Sequence, residues 1–403
     1  MNPTRLQQAR LAAGLSLQAV ADHLAAHGLP ISRAALSKHE LGKSRPTPRV
    51  FTRLMGLYGV TASQLLSSAT VQVEWLAFRK RTALGKAKTI QIQTLAQRQV
   101  EQQVELERQF SKSPRHRGFP TRRAVKSVAD AEHVAEQVRS LWDLGTGPLE
   151  SVAASIEDHG GVVVQVPAGD AAFDGLSGIA SGLHPVIVVN SDAPADRVRY
   201  TMAHELGHLA IDCDQADGKQ HEALANRFAG AFIAPGPAMY HELGRKRRRL
   251  DLDELKALKL KYGLSMQALM RRALDLAIIT PGHYQGLCVQ ISRLGWRRHE
   301  PIVCDAERGP SRLRQLLLRA LAEGMVTPSA AEEILPGVTA PLEAQLGSRR
   351  RTAVDYLYGD PDERDEALAR AAERTADLYR PGGGLERFEA FGDKDLVDEP
   401  DTE

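Results

Sequence analysis

Only two stretches of this 403-residue chain read plainly as β-strand, Val162–Val166 and Val186–Asn190. Almost every other patterned stretch repeats apolar residues at the spacing of a helix, with one weaker strand signal at Gly286–Ile291. That balance predicts a mainly α-helical chain with a small β-sheet, an α+β fold.

The helical signals come in groups. Residues 6–66 hold five short amphipathic segments with no strand signal before residue 71. They are Leu6–Ala13 stopped by Gly14, Leu17–Ala25 capped by Ser16, Arg33–Leu41 capped by Ser32 and stopped by Gly42, then Arg49–Tyr58 and Ala62–Leu66 parted by Gly59. Residues 71–127 are rich in Gln, Lys and Arg and read as a basic, partly helical connector, with an exposed helix at Glu101–Phe110 and a loop at Ser111–Gly118. Helical spacing returns at Ala129–Trp142, Leu149–His159, Ala195–Ile211, Glu222–Ile233, Asp251–Tyr262 and Ser265–Leu276. Leu313–Ala322 and Ala330–Leu335 look like ordinary packing helices, and the acidic tail from 392 to 403 is expected to be disordered. The expected division is 1–70, a connector over 71–127, 128–280, an uncharacterised 281–391, and the tail.

Composition narrows the class. With 43% hydrophobic and 25% charged residues the chain has the make-up of a globular protein, and no apolar run is long enough to span a bilayer. Three cysteines, Cys213, Cys288 and Cys304, are too few and scattered for a disulfide framework. With no signal-peptide pattern, a cytoplasmic location and no membrane partner are expected. The net charge of +2 hides an asymmetry: residues 1–126 hold 21 Lys and Arg against 6 Asp and Glu, and the remainder is net acidic. A basic head on an acidic body points to nucleic acid as a partner, although a basic stretch is also what a solvated linker looks like.

The sharpest chemical motif is His204-Glu205-Leu206-Gly207-His208, inside a helical pattern. Residues i and i+4 share a helix face with Cβ atoms about 5–6 Å apart, so both imidazoles can reach one zinc ion. Glu205 is turned by about 100°, where its carboxylate can serve as general base toward a water at the metal. A catalytic zinc wants a third protein ligand. Glu222 opens the next amphipathic helix, with Asn226 one turn on as a residue that can hold a ligand histidine. His221 is the rival ligand, while Asp212, Asp214 and Cys213 read as loop or packing residues.

These residues resemble a known family. Arg199-Tyr200-Thr201-Met202-Ala203-His204-Glu205-Leu206-Gly207-His208 is similar to the R-F-T-x-A-H-E-x-G-H signature of the ImmA/IrrE metallopeptidases, with Tyr200 in place of the usual Phe. Glu222-Ala223-Leu224-Ala225-Asn226-Arg227-Phe228-Ala229, then Ile233-Ala234-Pro235, resembles that family's second block. Asp174–Gly178 and Pro185–Asn190 look like its small sheet, and Tyr262–Ser265 and Leu269–Arg272 like its closing helices, so the likeness covers about residues 130–280. It implies a gluzincin-like site with one catalytic Zn2+, or another divalent metal, on His204, His208 and Glu222, and Glu205 as general base. The oxyanion-stabilising residue stays open, with Tyr240 and His241 as candidates.

Residues 1–70 resemble the Cro/cI-type (XRE) helix-turn-helix family through their helix order and the Ser37-x-x-Glu40-x-Gly42-Lys43 tail, with a longer turn, Ala25–Ile31, before the third helix. The likeness implies a third helix whose start lies in the major groove of double-stranded DNA, with Ser32, Arg33, Ser37 and Lys38 at base edges or phosphates. Gln18, Lys43 and Arg45 would contact the backbone. Heads of this kind work as dimers on two half-sites, so a homodimer is an expectation too. Three further basic runs, Arg115–Arg123, Arg245–Arg249 and Arg349–Arg351, fit phosphate contact or solvated loops equally well. The expected function is a DNA-binding regulator whose zinc endopeptidase cleaves a partner protein, a helix-turn-helix repressor. The alternatives are a metal-sensing transcription factor that cuts nothing, and the toxin-like member of a toxin–antitoxin pair.

Overall fold

Hydroxyl and amide caps open the first helices, at Ser16 and Ser32 as the sequence places them and also at Asn2 and Thr47. In the computed structural model, which describes residues 1–66, 71–80, 85–110, 118–169, 173–213, 218–304, 307 and 309–340, Asn2 caps α1 (Pro3–Ala12), Ser16 caps α2 (Leu17–Ala26), Ser32 caps α3 (Arg33–Glu40) and Thr47 caps α4 (Pro48–Tyr58). With α5 (Ala62–Leu66) these helices close on Leu6, Val20, Leu24, Leu36, Leu54 and Leu65. Arg10 ties the small bundle together from inside: its Nε donates to Glu40 at 2.6 Å and an Nη to the carbonyl of Leu15 at 2.7 Å. Glu40 of the family-like tail is thus a buried ion-pair partner, spent on the head's own core.

The stretch expected to be a connector is built into the fold. Val73–Lys80 forms a strand, β1, and Lys86–Phe110 a 25-residue helix, α6. The helix is not exposed at Glu101–Phe110 as its polar composition suggests. Ile92, Ala96, Val100 and Val104 recur every four residues and pack on the sheet face formed by Val162, Val164, Val166, Val186 and Val188. Burying Ile or Val side chains of this kind contributes about 1.5–3 kcal/mol each. Glu101 is buried because Arg5 of α1 pairs with it, and Gln91 donates to the carbonyl of Ala12 at 3.0 Å, so α6 also anchors the head.

After the two-residue strand β2 (Arg123–Ala124) come α7 (Val128–Leu141) and α8 (Val152–Asp158), then β3 (Val162–Val166), β4 (Phe173–Ala180) and β5 (His184–Asn190). The sheet order is β1-β4-β5-β3; β4 runs antiparallel to both neighbours and β3 parallel to β5. Both faces are covered, which explains the unbroken apolar runs of β3 and β5. Even-numbered valines face α6, while Val163, Ile187 and Val189 face the main core.

The main core is centred on α9 (Ala195–Ala210) and, after the short β6 (Ile211–Asp212), on α10 (Gly218–Ile233). Around them lie α11 (Gly236–Leu243), α12 (Leu252–Tyr262) and α13 (Met266–Asp275). The weak strand signal at Gly286–Ile291 is a helix, α14 (Pro281–Arg293), started by Thr280 and Pro281 and buried through Leu287 and Ile291 one turn apart. Two further helices, α15 (Arg312–Ala322) and α16 (Pro328–Ile334), follow. Residues 1–336 form one compact unit. The 349–351 basic run and the acidic tail lie outside the described residues, as does most of 111–118. Among the described residues no helix is long and apolar enough to cross a membrane.

Candidate metal centre

The metal motif lies in the second half of α9, where His204 and Glu205 are fully buried and His208 nearly so. Its neighbours explain how so polar a helix segment is held inside. Gly207 lets α10 approach closely: a Cβ there would stand 3.1 Å from the Phe228 ring. On the opposite side β4 crosses above Glu205, with Gly175 leaving so little room that a Cβ would meet Thr201 Cγ2 at 2.6 Å and Glu205 Oε1 at 3.1 Å. Arg199, also fully buried, fixes the start of the helix by donating to the Leu149 carbonyl at 2.6 Å and to Glu307 at 2.7 Å.

That close packing brings α10 into register with α9. Ligand atoms of His204, His208 and Glu222 all lie within 4.8 Å of one another. Nε2 of His204 and Nε2 of His208 are 3.0 Å apart, and the Glu222 oxygens stand 3.4 Å from the first and 3.6 Å from the second. A tetrahedral zinc with bonds of 2.0–2.1 Å needs its donors roughly 3.3–3.4 Å apart. Two neutral-capable imidazoles and one carboxylate at such spacings fit a zinc ion, and α10 begins one turn before Glu222, which gives its carboxylate a rigid base. Hydrogen bonds with His204 and His208 hold the Glu222 carboxyl far below the usual carboxylate range.

The outer contacts orient the imidazoles. Asn226 Oδ1 lies 3.0 Å from His204 Nδ1, which leaves Nε2 for the metal position. His221 reaches His208 Nδ1 with its own Nε2 at 3.2 Å, so it touches the far side of a candidate ligand and stands apart from the three-donor cluster. Burial, with the nearby His208, lowers the His221 pKa and favours its neutral form. Tyr200 has a role that the motif did not suggest. Its hydroxyl donates to the Asn226 carbonyl at 3.1 Å and stands 3.4 Å from Oδ1, and the sequence signal was its presence where the family pattern has Phe. Tyr240, by contrast, spends its hydroxyl on the Leu276 carbonyl, and His241 is exposed on α11. Cys213 packs partly buried against the main core, Asp212 sits in β6, and Asp214 lies outside the described residues.

In the head, Gln18, Ser32, Arg33, Lys38, Lys43 and Arg45 are exposed and Ser37 is half-buried. Ser32 is partly committed, since its hydroxyl accepts from the Ala35 amide at 3.2 Å, and Gln18 donates to Asp22 at 2.8 Å. The long turn expected between the second and third helices is present, spanning residues 27–32.

Comparison with protein families agrees with both resemblances. Residues 156–274 match the family model of the IrrE N-terminal-like domain, a peptidase family, and residues 4–66 match that of a helix-turn-helix domain. No curated protein matches the chain. The first match supports a metallopeptidase-type enzyme and the second DNA binding. The chain therefore carries a helix-turn-helix domain followed by an IrrE-like peptidase domain, the architecture of the ImmA/IrrE proteins that bear such a head.

Proposed function

We propose that this protein is a DNA-binding regulator whose zinc-dependent endopeptidase domain makes a limited cut in a partner protein, a helix-turn-helix repressor. The observation that carries the reading is the cluster of His204, His208 and Glu222 with donors at zinc spacing, beside a buried Glu205, in a chain that also holds a DNA-binding domain. Bound to those three side chains, zinc supplies Lewis-acid chemistry and makes water acidic near neutral pH. Glu205 takes the proton from the attacking water on its carboxylate and passes it to the amine of the departing chain. Asn226 and Tyr200 keep the His204 ring in place, and the packing of α9 under β4 keeps Glu205 out of bulk solvent. The exposed cations of α3 and the following turn, Arg33, Lys38, Lys43 and Arg45, support a phosphate-tracking face on double-stranded DNA.

The test compares new protein N-termini in cells expressing wild type and Glu205→Gln, with zinc content measured on both purified proteins. The expected result is a terminus seen only with wild type, at equal zinc content. Identical profiles, together with DNA affinity that changes on chelation, would replace the peptidase with a metal-sensing regulator.

A further inference from the structure

The sheet edge nearest the candidate catalytic base is already taken by a strand of the same chain. β4 has β5 on one side and β1 on the other. β1 comes from outside the span matching the IrrE N-terminal-like domain, from the stretch that leads out of the head. It runs antiparallel to β4, pairing Val73 with Ala180, Glu74 with Ile179, Trp75 with Gly178, Ala77 with Ser177, Phe78 with Leu176 and Lys80 with Phe173. Pairing is irregular twice in these eight residues, between Trp75 and Ala77 and between Phe78 and Lys80. The second irregularity falls opposite Asp174 and Gly175, and Gly175 is the residue where an added Cβ would stand 3.1 Å from Glu205.

An endopeptidase that makes one cut must hold an extended piece of its substrate beside the base. A sheet edge does so with main-chain hydrogen bonds, whatever the side chains. With β1 removed, β4 would present such an edge along the metal helix, which packs against β4 and touches β1. We propose that β1 is an internal occupant of the strand position that a protein substrate takes on β4, so that substrate and β1 compete for this edge. The proposal rests on the peptidase reading. The two irregularities leave fewer ladder hydrogen bonds to break than a regular strand would. Release of β1 also leaves the head in place, because Arg5 with Glu101 and Gln91 with the Ala12 carbonyl hold α1 to α6 independently.

Two full-length variants test this. Glu74→Pro disturbs the pairing at an exposed residue, and Glu74→Cys with Ile179→Cys joins two paired positions by a disulfide under oxidation. The first readout needs no metal: binding of a fluorescent peptide of residues 71–80 to metal-free protein, by anisotropy. We expect at least tenfold tighter binding to Glu74→Pro than to wild type, none to the oxidised double-cysteine protein, and recovery on reduction. The double-cysteine protein carries the test if Glu74→Pro does not fold. The second readout is the rate at which the protein substrate found by terminus profiling is cut, which should rise in Glu74→Pro and fall at least tenfold in the locked protein. Equal peptide binding in all forms, or wild-type cutting by the locked protein, overturns the assignment of β1 alone. Absence of any cut by wild type and by Glu74→Pro overturns the peptidase reading, and the substrate assignment with it.

Discussion

Replacing Glu307 with Leu should destabilise the protein more than any other single change at its ion pair with Arg199. The Glu307 carboxylate accepts four hydrogen bonds: from Arg199 Nη1 at 2.7 Å, Ser151 Oγ at 2.7 Å, and the amides of Val152 and Ala153 at 3.0 and 3.1 Å. It therefore neutralises a fully buried guanidinium on the metal helix and caps α8 with the same two oxygens. Removing it leaves the Arg199 charge buried without its carboxylate, a loss of about 3–5 kcal/mol, with about 1 kcal/mol more for the lost cap. Against a usual domain stability of about 5–15 kcal/mol, that is a large share. Arg199→Met should cost less, about 1.5–3 kcal/mol, because the orphaned carboxylate keeps three of its four donors. In the double variant neither charge of the pair remains, so its cost should fall below the sum of the singles by about 2 kcal/mol or more. Urea unfolding followed by circular dichroism on wild type, both singles and the double measures all four corners. Single costs that add to within about 0.5 kcal/mol would show that the pair is not coupled and refute the argument.

Other expectations are more local. Asn226→Ala should weaken zinc binding about 10–100-fold while leaving the fold intact, as measured by competition with a chromogenic chelator; unchanged affinity would remove Asn226 from its orienting role. Burial raises the Glu157 pKa from an ordinary 4.5 to about 7, against the amides of Ser311 and Arg312 that it accepts. A raised folded-state pKa means stability fully present below about 4.5 and lost as the pH climbs through about 7, worth about 3 kcal/mol in all. Wild type should therefore weaken between pH 4.5 and 8 relative to Glu157→Gln, and parallel urea midpoints would contradict the shift. Lys38→Ala should reduce affinity for DNA and lower the slope of log affinity against log salt by about one, read by anisotropy across a salt series.

What the sequence made legible follows how local each interaction is. The spacing of His204 and His208 is a property of one helix, and Glu222 with Asn226 of the next, so the donor cluster could be read residue by residue. The head was legible for the same reason: Ser16, Ser32, Gly42 and Gly59 punctuate helices that need no distant partner to be recognised. β1 and α6 were not. The apolar stripe of α6 is interleaved with glutamines, and its burial depends on a sheet more than fifty residues further on. Gly286–Ile291 misled because Gly, Leu, Val and Ile within six residues imitate a short strand, whereas Thr280-Pro281 upstream already marked a helix start. The ion pair of Arg199 with Glu307 joins residues 108 apart, and a lone Glu in a loop gives no local sign of it.

The anchoring of the head changes what a connector means in this chain. Were residues 71–127 a flexible tether, the DNA-binding and peptidase domains would act as separate bodies at a high mutual concentration, and nothing at the active site could be felt by the head. Instead α6 carries the sheet on one face and is tied to α1 through Glu101 and Gln91, so head and sheet share one rigid element. In sequence β1 lies between two anchored parts of the chain, Leu65 in the head's core and α6. β1 can give up its pairing with β4 while the contacts of α1 with α6, Arg5 with Glu101 and Gln91 with the Ala12 carbonyl, stay. Occupancy of the β4 edge would consequently be decided by competition between two extended segments, on a sheet that shares α6 with the head whichever of them wins.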